Sequence, residues 1–339
     1  MGLPSTDSDV ISTPARADAG PAEPRRPGEP EAIFVVGVSR SGTTLMRNIL
    51  ERSDRIALAP ENHFLGHILE REGARYYFRH AGELAQDQTL RKIVEMIYSG
   101  EFQKRSRWRE VSPFWRWLTA NVERDEMTRR LLALPAEDRT ERGLMAAFMR
   151  VYADLYGRPI MGEKTPAHLA YVDTLLEWFP NARVVHMIRD PRAVYVSDQH
   201  RRLTKRRPPY SWLIRIPFAL SAVLLVQVTL TWAGAARRHR YLRRRYPDRY
   251  RLVRFEDVVS EPDRTLPALF AFLGVTPPAD PTAVKVYARG FRWGAEGLDS
   301  AAATRWREHI RPFPRRWLKF WLGSYMRRFG YADKGSASS

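Results

Sequence analysis

Gly37-Val-Ser-Arg-Ser-Gly-Thr-Thr44 stands between an apolar run, Ile33-Phe-Val-Val36, and the stretch Leu45-Met-Arg-Asn-Ile-Leu50. Strand, glycine-bounded loop, helix is the order in which backbone N–H groups and a helix N-terminus cradle an anion. The nucleotide-triphosphatase form of such a loop, G-x-x-x-x-G-K-[ST], places a lysine directly after the second glycine. Here the glycines at 37 and 42 keep the spacing, but Thr43 takes the lysine's place. Arg40 supplies fixed positive charge from within the loop, and Ser41, Thr43 and Thr44 add hydroxyl donors. The loop reads as an anion cradle that does not belong to ordinary triphosphate chemistry.

Working outward, apolar runs alternate with helical patterns. The pattern predicts strands at Ala32–Val38, Arg183–Ile188 and Tyr250–Phe255. Helices are expected after the first two strands, at 42–52 and from about 192 through Ser197, and at about 64–80, 86–99, 142–156, 167–178, 234–246 and 262–273. Short buried strands alternating with helices define an α/β fold around a parallel sheet. Ligands in such sheets sit at the carboxyl ends of the strands, where the loops after the first two would lie.

The second of those loops opens on Arg189 in Met187-Ile-Arg-Asp-Pro-Arg-Ala-Val-Tyr-Val-Ser-Asp198, with Ser197 eight residues further on. A guanidinium makes charge-assisted bonds to a phosphate, and a hydroxyl closes the other side. The pair of motifs, in this order and each after a strand, resembles the sulfotransferases that use 3′-phosphoadenosine-5′-phosphosulfate (PAPS). The arginine-bearing loop ending in Leu-Met-Arg47 is similar to those of tyrosylprotein sulfotransferases and many bacterial members. Gly162-Glu-Lys-Thr-Pro166, Arg254-Phe-Glu-Asp257 with Glu261-Pro262, and Thr304-Arg-Trp-Arg307 leading to Gly330-Tyr331 resemble further family segments. The resemblance spans about residues 31–332, although 65–160 and 201–245 match no segment of it. It departs from the family at Ser39, where a proline is usual.

The resemblance implies PAPS as co-substrate and no metal. On it, Ser39, Arg40, Ser41, Gly42, Thr43 and Thr44 would hold the 5′-phosphosulfate, and Arg189, Ser197 and Arg305 would hold the rest of the nucleotide. Sulfuryl transfer needs a base for the acceptor hydroxyl and a stabiliser for charge growing on the bridging oxygen. Arg40 is placed for the second task and Lys164 could add to it. Glu61, in Ala59-Pro-Glu-Asn-His63, lies at the same offset from the loop arginine as the catalytic glutamate of tyrosylprotein sulfotransferases, so the resemblance gives it the base's role. His63 is the rival, since cytosolic sulfotransferases use a histidine. His63 and His67 stand four apart, a spacing that could face a metal, but no third ligand is evident. A P-loop kinase would need a lysine at 43 and a magnesium-binding acid after a strand; Asp190, the available acid, sits inside the phosphate motif.

Composition sets the remaining bounds. The chain has no cysteine, which excludes disulfides and thiolate metal sites. Its first 30 residues, rich in Pro, Ala, Asp and Ser, read as a disordered tail without a signal peptide, and 333–339 as a flexible tail. Without an N-terminal anchor of the kind secretory members carry, a cytoplasmic enzyme is expected, acting on a hydroxyl of a carbohydrate, lipid or other small metabolite. Net charge is +18, and between Arg201 and Arg254 there are fourteen Arg and one Lys against the single acid Asp248. Such a segment attracts polyanions. It also contains Ile216–Ala236, which has no charge. A membrane span there would put the third strand across the bilayer from the first two, so the segment is a core helix, a lid, or an interfacial helix at an anionic membrane surface. A basic membrane- or nucleic-acid-binding protein is the non-enzymatic alternative, but the segment lacks the aromatic-basic interleaving of an RNA-recognition surface.

Overall fold

The computed structural model describes residues 23–66, 73–101, 112–205, 217–288 and 292–331. Its centre is the run that precedes the loop. β1 (Ala32–Gly37) is buried along its whole length, which demands cover on both faces. Because side chains alternate across a strand, Phe34 and Val36 enter one core while Ile33 and Val35 enter the other.

After β1 come α1 (Thr43–Leu50), α2 (Ala74–Arg79), α3 (Asp87–Tyr98), α4 (Pro113–Asn121), α5 (Arg124–Leu132) and α6 (Glu141–Leu155). β2 (Met161–Lys164), a 3-10 turn at Pro166–Tyr171 and α7 (Val172–Trp178) follow, then β3 (Arg183–Ile188), α8 (Pro191–Lys205) and α9 (Pro217–Arg245). The chain continues through β4 (Tyr250–Arg254), α10 (Phe255–Ser260), α11 (Pro262–Leu273), the hairpin β5 (Lys285–Ala288) and β6 (Arg292–Glu296), α12 (Trp306–His309) and α13 (Pro312–Arg328). β2, β1, β3 and β4 lie side by side in that order, all parallel. Helices α1, α10 and α11 cover one face, and the larger helical layer from α2 through α9, with α13, covers the other. This is the α/β architecture the alternation predicts.

Four differences from the sequence reading have physical causes. Residues 63–66 do not begin a helix: Phe64 gives its N–H to Asn62 Oδ1 and Leu65 to His168 Nε2, and His63 and Gly66 take left-handed φ angles of 49° and 95°. Gly162-Glu-Lys164 forms a strand the polar sequence conceals, with Glu163 buried against Thr165 and His168 and Lys164 against Glu61. The expected helix at 167–178 is split into the 3-10 turn and α7. Finally, the uncharged segment and the arginine-rich one after it are a single helix, α9. The region 65–160, which matches no segment of the resemblance, supplies most of the helical layer, including α4 and α5, which the periodicity does not reveal. His67 and the basic residues Arg206, Arg207 and Arg215 lie outside the described residues.

Candidate active site

The loop after β1 turns sharply at Gly37 and Gly42. A Cβ on Gly37 would lie 2.3 Å from the Met187 carbonyl of β3, and one on Gly42 would lie 2.4 Å from the Phe255 ring. Gly42, at φ 88°, caps α1 without a side-chain hydrogen bond, so the first N–H groups of the helix remain directed into the loop. Between the glycines Arg40 also adopts a left-handed φ, 71°. Arg40 and His63 are the two non-glycine residues with such backbone among the described residues, and both are at this site. Backbone held in a sparsely populated region is over-determined by its surroundings, and such residues cluster where a ligand is clamped.

Arg40 Nε donates to Ser197 Oγ at 3.0 Å, so the loop after β1 meets the helix after β3. Arg189 closes the same corner. It donates to the Arg40 carbonyl at 3.4 Å and the Ala302 carbonyl at 2.7 Å, and its guanidinium lies 4.1 Å from the centre of the Phe255 ring. Its Nε is buried without a partner. Burial pushes the Arg189 pKa down to about 10, against the pull of Glu256 and with Arg40 adding repulsion. Arg40 is lowered as well, by burial first and by Arg201 second. Guanidinium groups that burial and mutual repulsion both disfavour are relieved by an anion between them.

A second cluster sits on the neighbouring strand end. Residues 56–59 run parallel beside β2, with Ala57, Ala59 and Lys164 N–H groups bonded across to Ile160, Gly162 and Ala59, each at 2.9 Å. That pairing brings Glu61 beside Lys164, whose ammonium donates to Glu61 Oε1, and His63 Nε2 lies 3.5 Å from Glu61 Oε2. Burial acts to raise the Glu61 pKa, but Lys164 with the His63 contact outweighs it and holds the carboxyl well below the usual carboxylate range. Backbone is pinned too. The Glu61 carbonyl accepts from Ser112 Oγ and from Phe114 N–H, and the Asn62 carbonyl from Trp115 Nε1 at 2.9 Å. Beneath lies a fully buried relay: Thr165 Oγ accepts the Asn62 N–H and donates to Glu163, and His168 Nδ1 lies 2.6 Å from Glu163 Oε1. Since His168 Nε2 accepts from Leu65 N–H, the proton belongs on Nδ1.

The two clusters are neighbours, since the Glu61 carboxylate acts to favour the Arg40 charge. Thus Arg40, Glu61, Lys164, Arg189 and Ser197 converge. Thr44 and Ser39 are exposed on the loop and Thr43 is buried beneath it. Ser41 differs from the expectation of a hydroxyl donor to the ligand. Both its N–H, at 3.2 Å, and its hydroxyl, at 2.5 Å, return to the Val38 carbonyl, so it shapes the turn. Arg305 follows the turn whose Ala302 carbonyl takes Arg189, and is paired with Asp299 at 2.6 Å. Asp190 is chelated by Arg192 at 2.7 Å, both buried, which occupies the acid that a kinase would give to magnesium.

Sequence reasoning assigned no role to Arg47, Phe255 or Trp306, which position the others. Arg47 joins α1 to Leu58, Glu51 and Tyr152, fixing the segment that leads to Glu61. Phe255 supports Gly42 and Arg189 together, and Trp306 stacks 4.1 Å from the Arg192 guanidinium. Their signal was present as the aromatic in Arg254-Phe-Glu-Asp257 and in Thr304-Arg-Trp-Arg307.

With this geometry in place, the wider comparisons agree. The family model described as "Sulfotransferase family" matches residues 30–279, and the chain belongs to that family. Among solved structures it is similar to the sulfotransferase domain from the Synechococcus PCC 7002 olefin synthase, at 20% identity and a TM-score of 0.54, covering 94% of this chain and 98% of that one. It is similar also to the sulfotransferase domain from the curacin biosynthetic pathway, at 19% identity and a TM-score of 0.52, with 89% and 98% covered. Among curated proteins none matches significantly.

Proposed function

We propose that the chain transfers the sulfuryl group of PAPS to a hydroxyl of a carbohydrate, lipid or other small acceptor. The observation that carries this is the joining of Arg40 to Ser197 and Arg189 at one end of the site and its approach to the Glu61–Lys164 pair at the other. The donor set fits a nucleotide with two anionic groups. The loop N–H groups, Thr43, Thr44 and Ser39 would face the phosphosulfate, while Arg189, with its unpartnered Nε, Ser197 and Arg305 would face the 3′-phosphate. When bound, PAPS supplies an activated sulfuryl group whose departure leaves adenosine 3′,5′-bisphosphate.

The chain's own residues then have separable tasks. Glu61, ionised in the free protein, accepts the acceptor's hydroxyl proton as the new sulfur–oxygen bond forms. Arg40 and Lys164 stabilise the negative charge that the breaking sulfur–oxygen bond leaves on the bridging oxygen. The relay Thr165–Glu163–His168 holds the loop carrying Glu61, so the base is oriented by groups that never touch substrate.

Thermal unfolding with nucleotides tests the reading. At a hundredfold excess over its Kd, adenosine 3′,5′-bisphosphate should stabilise the protein by about 2.7 kcal/mol. ATP or ADP with magnesium should do far less. Stronger stabilisation by ATP would sink the proposal, and a screen of glycans, lipids and phenols with labelled PAPS then identifies the acceptor.

A further inference from the structure

α9 and α13 pack together and leave an apolar, aromatic face in water. On α9 the buried side is Leu220, Leu224, Val228, Trp232 and Ala236, which leaves the opposite ridge Phe218, Ala222, Val226 and Leu230 exposed. On α13, Leu318, Leu322 and Met326 are buried, while Phe313, Phe320 and Trp321 point outward. Phe320 is 80% exposed, Phe218 77%, Leu230 64% and Trp321 54%, values at which these side chains contribute little to the core. The two helices are joined at the surface, where Trp317 Nε1 donates to Thr229 Oγ1 at 3.1 Å. Trp317 also sits 6.1 Å from Phe313 and 5.9 Å from Trp321, which links the α13 aromatics to the α9 ridge.

The charge on both helices has one sign. α13 carries Arg315, Arg316, Lys319, Arg327 and Arg328, and α9 ends in the arginine-rich stretch 237–245; neither contains Asp or Glu. Exposed Phe and Trp interleaved with Arg and Lys on α13, beside the uncharged ridge of α9, match the acyl–headgroup boundary of an anionic bilayer, where rings enter the interface and cations meet lipid phosphates. A second copy of the chain would oppose these cations to one another. A nucleic-acid backbone would gain nothing from the uncharged ridge between Phe218 and Leu230. α9 is long and apolar enough to cross a membrane, but its C-terminal half packs on the sheet through His239 and Tyr250, so it lies on the surface.

We infer that the α9–α13 face docks the protein on anionic membrane surfaces. The docking is independent of the sulfuryl-transfer reading, and its failure would leave that reading intact. The face and the nucleotide corner share a helix, since Trp232 of α9 donates to the Arg189 carbonyl at 2.9 Å.

Flotation of the full chain tests this, with vesicles of equal parts phosphatidylcholine and phosphatidylglycerol, and with phosphatidylcholine alone as the neutral control. The protein should rise with the anionic vesicles and remain behind with the neutral ones, and added salt should cut the floated fraction several-fold. A variant combining Leu230→Asn, Phe320→Ser and Trp321→Ser alters only side chains that water already reaches. Its far-UV circular dichroism and Tm should be unchanged, while vesicle binding falls at least about tenfold. Absence of flotation, or equal flotation of the triple variant, overturns the inference. So does equal binding to neutral vesicles, or a dimer that the three substitutions convert to monomer while vesicle binding stays the same.

Discussion

Glu61 is ionised before substrate arrives, because Lys164 and His63 outweigh the penalty of its burial. A carboxyl with a depressed pKa works as a base above that pKa and fails only as pH falls through it. The acid limb of kcat/KM should therefore lie below the usual glutamate value of about 4.3. Glu61→Gln should lower kcat by about 10²–10⁴-fold and leave adenosine 3′,5′-bisphosphate binding unchanged. Substantial turnover in that variant, with an acid limb near neutral pH, would move the base to His63. At this scale the sequence was legible where a charged or hydroxyl side chain sits on a short motif, as with Arg40, Glu61, Lys164, Arg189 and Ser197. It was silent about His168, and it showed Phe255 as part of a motif without showing its role. Their roles depend on neighbours far along the chain, and a buried histidine or phenylalanine has the same letter whether it packs or positions.

Between elements, β3, α9 and β4 share a buried polar knot. His186 Nδ1 lies 2.5 Å from Tyr250 Oη, and His239 Nδ1 lies 3.0 Å from the same oxygen. Burial pushes His186 down to about 3 and His239 down to about 4; repulsion from His239, where protonated, adds to the first and repulsion from Arg243 to the second. Unfolded, both would titrate near 6.5, so between that pH and about 3 the unfolded chain binds more protons. The stability this knot contributes is complete above about 6.5 and drains away as pH falls towards the folded values. Tm should fall steadily over that window, and His186→Gln should flatten the fall; an unchanged slope would remove the knot from the account. The sequence read α9 as two pieces because hydropathy and charge change abruptly at Ala236. It did not show β2, whose Glu163 and Lys164 look like surface residues until His168 and Glu61 are found beside them.

Across the whole molecule, the end of the described chain returns to the loop after β3. Tyr331 donates to Glu256 at 2.8 Å, its carbonyl accepts from Arg192 at 2.8 Å, and Arg254 lies 4.7 Å from its ring. Glu256 in turn takes the Asp190 N–H at 3.0 Å, next to Arg189. Tyr331→Ala should leave one oxygen of the half-buried Glu256 carboxylate without its donor, at a cost of about 1 kcal/mol, and weaken bisphosphate binding by loosening Arg189. Calorimetry that finds stability lowered and affinity unchanged would separate the two effects. The three strands and both anion motifs were legible because they are local patterns. In the helical layer α3 and α6 were legible by periodicity, but α4 and α5 were not, because the aromatic core they join, including Trp115 and Phe148, is a matter of long-range packing that leaves no short motif.

If the proposed function holds, the Glu61–Lys164 pair sets a timetable for catalysis. Lys164 has one ammonium group and two claimants, the carboxylate it holds at rest and the leaving oxygen it would serve during transfer. An acceptor arriving first meets a base already occupied by that cation. On the proposed function, arrival of the phosphosulfate would draw Lys164 away, and only then would Glu61 gain appetite for a proton. Addition should therefore be ordered, with the nucleotide first. The bisphosphate product would then inhibit competitively against the donor and non-competitively against the acceptor, whereas competition with both would mean that the pair imposes no sequence.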